Sequence, residues 1–341
     1  IDILCEEEKI QIREYNNTDA KYSLNETVID LLEEKVKYFP NDVALIYENQ
    51  KISYKDFYNM VCNFAFKLLN VSDEKIIVYL DNSIELIVAI YGILMSGNAY
   101  VPLNLSTPVD RVRTIANDCD CKYAVMQDKI LDDVIYLDVE KDTSTKINIE
   151  NKSTHSKLAY IIYTSGSTGT AKGVKITNRA LTNYICWAKK VYVNDSKPLM
   201  PLYSSIAFDL TVTTLYLPII SGGTIIICKN NNEEIVKIFR EDKVNIVKLT
   251  PAHLSLINEA NIRISNINTL ILGGEALKTN DVKKIVKRSR RSIRIFNEYG
   301  PTEATVGCMI YKYNALDSEP TLPIGKPADN VKIYVMDKYG N

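Results

Sequence analysis

The chain has 341 residues, 46% of them hydrophobic, with 41 basic residues against 42 acidic ones and a formal charge of −1. That is enough apolar matter for one large core or two adjoining ones, and so even a charge balance argues against nucleic acid or an anionic membrane surface as a partner. The seven cysteines (Cys5, Cys62, Cys119, Cys121, Cys186, Cys228 and Cys308) have no paired CxxC spacing and only His155 and His253 to join them, which argues against a structural zinc site and for reduced thiols in the cytoplasm.

The opening, Ile1 to Lys9, is acidic and does not read as a signal peptide. Ile1 to Asn25 reads as a linker or lead-in, rich in turn formers at "YNNTDAKYSLN". Residues 26–341 form the domain proper. "NETVIDLLEEKVKYFP" has apolar residues at helical spacing and stops at Pro40. "DVALIYENQKISY" predicts two strands around an Asn-Gln turn, followed by a helix through Phe66 and a strand at "KIIVYL". The longest apolar stretch, "IELIVAIYGILM" from Ile84 to Met95, falls short of a membrane span and contains Glu85, so a buried core helix is expected.

From there strands and helices alternate. "KYAVM", "LAYIIYT", "KPLMPLY", "GTIIIC", "VNIVKLT", "NTLILGG" and "SIRIFNEYG" read as strands, with helices such as "NNEEIVKIFREDK" and "TNDVKKIVKRS" between them. The basic run "KKIVKRSRRSIR", Lys283 to Arg294, carries Ile and Val at helical spacing and reads as a solvated helix face. Apolar strands separated by amphipathic helices predict an α/β fold with two adjoining, mostly parallel sheets flanked by helices. The tail "NVKIYVMDKYGN" reads as a strand entering a turn.

Within this pattern "YIIYTSGSTGTAKGVKI", Tyr160 to Ile176, puts small residues directly after a strand. Ligands of open α/β sheets bind beyond the carboxyl ends of strands. Gly166, Gly169 and Gly173 allow tight turns that aim N–H groups at an anion. Ser165, Ser167, Thr168 and Thr170 add hydroxyls, and Lys172 adds charge. The spacing is not that of GxxxxGK[ST], since Gly173 follows Lys172. On these residues alone, a phosphate cradle and a mobile surface loop both stand.

Three further stretches bear on the choice. "AFDLTVTTLYLPIISGGTIII" carries one acid, Asp209, at the start of an apolar helix. "LILGGEAL" ends a strand in two glycines and an acid, and "NEYGPTEAT" ends one in Tyr299, Gly300 and Pro301 before Thr302 and Glu303. A carboxylate such as Glu303 near a phosphate cradle is a natural magnesium ligand.

Together these stretches resemble the adenylate-forming enzymes, and more narrowly the amino-acid adenylation domains of nonribosomal peptide synthetases. "YIIYTSGSTGTAKGV" resembles the phosphate loop of that family, "FDLT" its amino-acid pocket motif and "NEYGPTEAT" its adenine and magnesium motif. "LMSGNAYVPLN" and "PIGKPADNVKIYVMD" are similar to two structural motifs, and "EEEKIQIREYNNT" to the linker after a condensation domain. Ala171, Asn98 and Asn178 stand where proline, glycine and histidine are usual. The family continues with a ribose-binding aspartate and a mobile lid carrying a lysine, and neither is in this chain. The resemblance therefore implies a large subdomain that is incomplete at its C-terminal end, with the start of a small β-barrel part and the C-terminal lid subdomain absent.

The resemblance also implies roles. Thr164, Ser165, Gly166, Ser167, Thr168, Gly169 and Lys172 would wrap the β- and γ-phosphates of ATP. Thr302 would hold the α-phosphate, Glu303 would hold Mg²⁺, and Thr302, Glu303 and Lys172 would carry the chemistry. Tyr299 would stack on adenine, with Asn297 and the backbone of Gly274, Glu275 and Ala276 at its edge. Asp209 would pair with a substrate α-ammonium, helped by the carbonyls of Gly300 and Val306. A peptidyl carrier protein would accept the product on its phosphopantetheine thiol, and a condensation domain would precede.

The side-chain pocket by resemblance comprises Asp209, Leu210, Thr213, Lys248, Ile271, Gly273, Glu298, Val306 and Gly307. Lys248 offers donors and Glu298 acceptors, which suits a primary amide. The set resembles asparagine-activating pockets, with L-asparagine expected first, aspartate second and glutamine third. The competing reading makes Lys248 and Glu298 a structural ion pair around a small substrate. At the level of activity, the alternatives are a lidless module that binds amino acid and nucleotide with little turnover, and an acyl- or aryl-CoA ligase of the same superfamily.

Overall fold

The computed structural model describes residues 5–140, 147–165, 171–194 and 196–337. Helices α1 (Glu6–Tyr15) and α2 (Val28–Tyr38) precede the hairpin β1 (Val43–Tyr47) and β2 (Gln50–Ser53). Then come α3 (Tyr54–Phe66), β3 (Lys75–Tyr79), α4 (Ile84–Met95), β4 (Ala99–Pro102), α5 (Val109–Asp118), β5 (Tyr123–Met126) and β6 (Ile135–Tyr136). The second half runs β7 (Leu158–Ser165), β8 (Ala171–Thr177), α6 (Asn178–Tyr192), β9 (Leu199–Leu202), α7 (Leu210–Ile220), β10 (Thr224–Ile227), α8 (Asn232–Glu241) and β11 (Ile246–Leu249). It ends with α9 (Pro251–Glu259), β12 (Thr269–Gly273), α10 (Thr279–Arg288), β13 (Arg294–Tyr299), a 3-10 turn at Thr302–Ala304, β14 (Met309–Lys312) and β15 (Lys326–Pro327).

The fold is α/β, as the alternation predicts. One six-stranded sheet has the order β6-β5-β3-β4-β7-β8. The second expected sheet divides in two, a four-stranded β2-β1-β10-β9 and a five-stranded β11-β12-β13-β14-β15. The two parts stay joined at the break, where the Asn245 side chain accepts from the Leu199 N–H at 2.8 Å and the Asn245 N–H donates to the Leu199 carbonyl at 3.1 Å. Most pairs are parallel, and the antiparallel ones gather toward the edges: β1 with β2, β7 with β8, β13 with β14, and β14 with β15. Among the described residues no sheet closes into a barrel.

The helix ends follow local chemistry. Thr27 and Asp30 form a reciprocal capping box on α2, and Ser83 accepts the Leu86 N–H at 3.1 Å to start α4. Every residue of α4 except Glu85 is buried, the signature of a helix surrounded by core. Val282 and Ile285 are buried on α10 while Lys284 and Lys287 are exposed, as the solvated-face reading expects. The helix ends at Arg288, however, and Arg294 belongs to β13, its guanidinium donating inward to the Val191 and Tyr192 carbonyls and to Thr269. No helix among the described residues is long and apolar enough to cross a membrane, and all seven cysteines are free thiols.

Four details differ from the sequence reading. The lead-in contains α1, and its following residues tie to the far end of the chain. Tyr15 donates to the Gly325 carbonyl at 2.8 Å, Asn16 to that of Ile333 at 3.0 Å and Thr18 to that of Val331 at 2.7 Å. The tail from Val331 to Asp337 is not a strand; those lead-in contacts are side chain to backbone and form no ladder. The first hairpin turns at Glu48 and Asn49, with Glu48 at φ +52°, one residue before the expected turn. Finally, "AKGVKIT" is strand β8, so the glycine-rich segment bridges two antiparallel strands. Its Val174 and Ile176 are buried on either side of exposed Lys175, a strand alternation masked in sequence by the glycines.

Candidate active site

Strand register builds the centre of the site. In the five-stranded sheet Lys248 pairs with Ile271 and Ile271 with Phe296, while Gly273 pairs with Glu298. Residues opposite each other, and residues two apart on one strand, share a face. Lys248 and Glu298 therefore lie on one face, two strands and one rung-pair apart, and the missing side chain of Gly273 opens the diagonal between them. A Cβ on Gly273 would stand 2.8 Å from the Glu298 carbonyl oxygen.

Across that diagonal Lys248 Nζ donates to Glu298 Oε1 at 2.5 Å, with both side chains only 2% exposed. The ammonium also donates to Thr213 Oγ1 at 2.8 Å and to the Tyr184 hydroxyl at 3.1 Å. Three donors thus meet three acceptors. Glu298 in turn accepts from Tyr184, at 3.2 Å on Oε1, and from Tyr192 on Oε2. Gly307 packs against this carboxylate, and a Cβ there would lie 2.5 Å from Glu298 Cδ. Burial first, and the Glu298 charge second, push both phenols well above their ordinary value, so both act as donors.

Asp209 occupies the N-cap position of α7 but makes no side-chain capping bond to its helix. The Thr302 hydroxyl and the backbone N–H of Leu210, the first residue of α7, favour its charged form. Burial raises its pKa above 3.8, opposed by the Lys248 charge and the Thr302 bond. Asp209, Thr302 and Thr164 line one cavity of about 500 Å³ together with Asn104, Arg111 and Phe208. The carboxyl end of β7, the start of α7 and the turn after β13 thereby converge, although they are far apart in sequence.

The turn after β13 is held in an uncommon backbone form. Thr305 and Val306 have φ of +61° and +69°, a region costly for a β-branched residue. The Val306 carbonyl lies 2.8 Å from where a Gly300 Cβ would be, so only glycine lets these two backbones meet.

Several other expected residues are exposed. Tyr299 is 48% exposed, and Lys172, Glu303, Glu275 and Ala276 are exposed. Gly274 turns the chain at φ +93° after β12. Asn297 is buried and donates its amide to the Leu322 and Pro323 carbonyls at 3.3 and 2.8 Å. Ile271 and Val306 are buried apolar walls and Leu210 is half-buried. Gly166, Ser167, Thr168 and Gly169, with Thr170, lie outside the described residues, as does the side chain of Ser165. Asn178 and Asn98, at positions unusual for the family, are both buried and hydrogen-bonded, Asn178 to the Thr154 carbonyl and Asn98 to that of Val71.

The model of the family described as AMP-binding enzyme matches residues 32–341. The chain belongs to that family. It is 40% identical over 351 residues to bacitracin synthase 3 of Bacillus licheniformis, covering 99% of this chain and 6% of that protein. It is 39% identical over 353 residues to tyrocidine synthase 3 of Brevibacillus parabrevis, covering 99% of this chain and 5% of that one. The chain thus spans a small part of the curated relatives it matches. Among solved structures, the nonribosomal peptide synthetase FmoA3 in its alpha-methyl-L-serine-AMP bound form superposes with a TM-score of 0.90 at 19% identity, over 99% of this chain and 40% of that one. At that identity the likeness establishes the fold alone.

Sequence reasoning missed four polar side chains. Tyr184 and Tyr192 look like core aromatics among 22 tyrosines; their spacing of eight on one apolar helix face was the only trace. Asn104 and Arg111 follow strand β4 and line the cavity wall, where their position beyond a strand end was the available signal.

Proposed function

We propose that this chain selects an α-amino acid, L-asparagine, and activates it with Mg-ATP to an aminoacyl-AMP and pyrophosphate, for transfer to the phosphopantetheine thiol of a carrier protein. The observation that carries the reading is the pairing of two charged stations: Asp209 on the cavity, and the buried Lys248–Glu298 pair within its electrostatic reach. A half-buried carboxylate lining the cavity suits an ammonium, whereas a fatty or aryl acid would leave it unanswered.

In the reaction a carboxylate oxygen of the amino acid attacks the α-phosphorus. The bond between that phosphorus and the bridging oxygen to the β-phosphate breaks, and pyrophosphate leaves with the electron pair. The work of the protein is positioning and charge neutralisation. Asp209 and the carbonyls of Gly300 and Val306 would fix the ammonium, and Thr302 would hold the α-phosphate. Thr164, Lys172 and the loop between them would hold the outer phosphates. Asn297, Tyr299 and the Gly274–Ala276 backbone would take the adenine. The donor set suits magnesium: Glu303 is one exposed hard carboxylate beside the cavity residue Thr302, and Mg²⁺ binds through one or two carboxylates plus substrate phosphates. That ion would neutralise phosphate charge when bound.

An asparagine amide would enter the pair by exchange. Its oxygen takes the proton that Lys248 gives Glu298, and its NH₂ donates to Glu298 Oε1. Aspartate would face the Glu298 carboxylate, and glutamine is one methylene longer in a pocket walled by Ile271 and Val306. The second reading rests on one observation: every Lys248 donor already has an acceptor, so the pair is self-sufficient around a small amino acid. ATP–pyrophosphate exchange across a panel of acids tests both. Exchange with asparagine above all others supports the first, and preference for alanine, serine or glycine supports the second. Asparagine binding without exchange marks a binding module, and exchange only with fatty or aryl acids refutes the role given to Asp209.

A further inference from the structure

Two phenols converge on Glu298 from α6, and nothing in the activation reaction requires them. Tyr184 and Tyr192 are 3% and 0% exposed. Their rings are fixed by neighbours: Tyr192 meets Trp187 edge-on at 5.6 Å and Phe296 at 5.2 Å, and Tyr184 leans on Trp187 at 5.9 Å. The Tyr192 hydroxyl donates to Glu298 Oε2, and the Tyr184 hydroxyl lies 3.2 and 3.3 Å from the two carboxylate oxygens. Gly307 closes the side facing β14, at 2.5 Å from Glu298 Cδ to a built Cβ.

We propose that Tyr184 and Tyr192 are specificity-determining positioning residues that clamp Glu298, keeping Oε2 with α6 and turning Oε1 toward Lys248 and the side-chain amide of the substrate. The inference rests on the asparagine reading above and adds what holds the reader of the amide in place. In the structure Glu298 is also held by Lys248. Once an amide takes the Lys248 proton, that grip is gone. The two phenols and the Gly307 wall then hold the carboxylate alone.

Tyr184 has a second task that Tyr192 lacks. One hydroxyl offers one proton and two lone pairs. Tyr184 can donate to Glu298 while accepting from Lys248 at 3.1 Å and from Thr213 at 2.6 Å. It therefore sets the spacing of ammonium and carboxylate, whereas Tyr192 sets only the rotation of the carboxylate. Tyr192→Phe is the cleaner probe, and Tyr184→Phe should combine both losses.

The test is ATP–pyrophosphate exchange with asparagine and aspartate at varied concentration, in the wild type, Tyr192→Phe, Tyr184→Phe and Tyr91→Phe. Tyr91 is a matched control, a fully buried phenol donating to the Leu215 carbonyl at 2.9 Å. Tyr192→Phe is expected to raise KM for asparagine roughly tenfold, the worth of one charge-assisted hydrogen bond. Its kcat should stay within about threefold, because the reacting carboxylate is held elsewhere, and KM for aspartate should not rise. Tyr184→Phe should raise KM for asparagine further, and Tyr91→Phe should change neither substrate. An unchanged asparagine KM in both Tyr192→Phe and Tyr184→Phe, or an equal rise for both amino acids, overturns the clamp while leaving asparagine activation intact. Wild-type exchange with another amino acid and none with asparagine overturns the asparagine reading, and the clamp with it.

Discussion

Breaking the Lys248–Glu298 pair should cost stability and recognition by separable amounts. Both side chains are 2% exposed, and removing one member of a buried pair costs about 3–5 kcal/mol because the other charge stays buried. Lys248→Met leaves Glu298 with two phenol donors, so its cost should fall near the lower figure. Glu298→Gln keeps the shape and the Tyr192 contact but strips the ammonium of its counter-charge. The double variant buries no charge, so it should cost less than the sum of the singles, with a coupling of about 2–3 kcal/mol. Urea denaturation followed by Trp187 fluorescence reads this well, since it is the only tryptophan and packs directly on Tyr184 and Tyr192. Asparagine exchange should be lost in all three variants, including a double variant that folds. Single costs below about 1 kcal/mol that simply add would refute the buried, coupled pair.

Asp209→Asn should lower kcat/KM for asparagine by roughly 30-fold or more, since it removes the charge partner of the ammonium. Because burial raises the Asp209 pKa above 3.8, the carboxylate protonates at a higher pH than a free aspartate. Amino-acid affinity should therefore weaken as pH falls through that raised value, and the Asn variant should lack this limb; a pH profile of KM checks it. Gly307→Ala would place a Cβ 2.5 Å from Glu298 Cδ and Oε1, so overpacking of about 1–3 kcal/mol and loss of asparagine exchange are expected together in melting and exchange assays. Glu298→His should move preference from asparagine toward aspartate, read as the ratio of their kcat/KM values, because a carboxylate then meets donors on both sides.

The parts of the fold that sequence made legible are those with a strong period. The buried helix Ile84–Met95 and the apolar strands were readable because packing on both faces demands unbroken apolar runs. The break between β9 and β11 was not readable, because both strands are equally apolar and only the Asn245 bonds to Leu199 mark the seam. Helix α1 hid in the lead-in because none of its residues is buried, so it carries no amphipathic stripe to detect. In the site, Asp209, Lys248 and Glu298 stood out as charges in apolar surroundings, but their meeting depended on resemblance. Lys248 and Glu298 are 50 residues apart, and only the register through Ile271 and Gly273 joins them.

That register also explains how two opposite charges can be stable at this depth. An unpaired ammonium or carboxylate at this depth would be costly, so the pocket satisfies itself: Lys248 turns to Glu298, Thr213 and Tyr184. A substrate must then offer at least what it displaces. An amide returns an acceptor to Lys248 and a donor to Glu298, and the exchange is balanced. A carboxylate satisfies Lys248 but repels Glu298, and a hydrocarbon side chain displaces nothing and gains only contact with Ile271 and Val306. Discrimination should therefore be steep against aspartate, where a charge is opposed, and shallow against alanine, where the pair simply stays shut. On this account selectivity against small amino acids comes from the energy gained by the exchange, and it fails wherever Glu298 is free to turn away from the incoming amide.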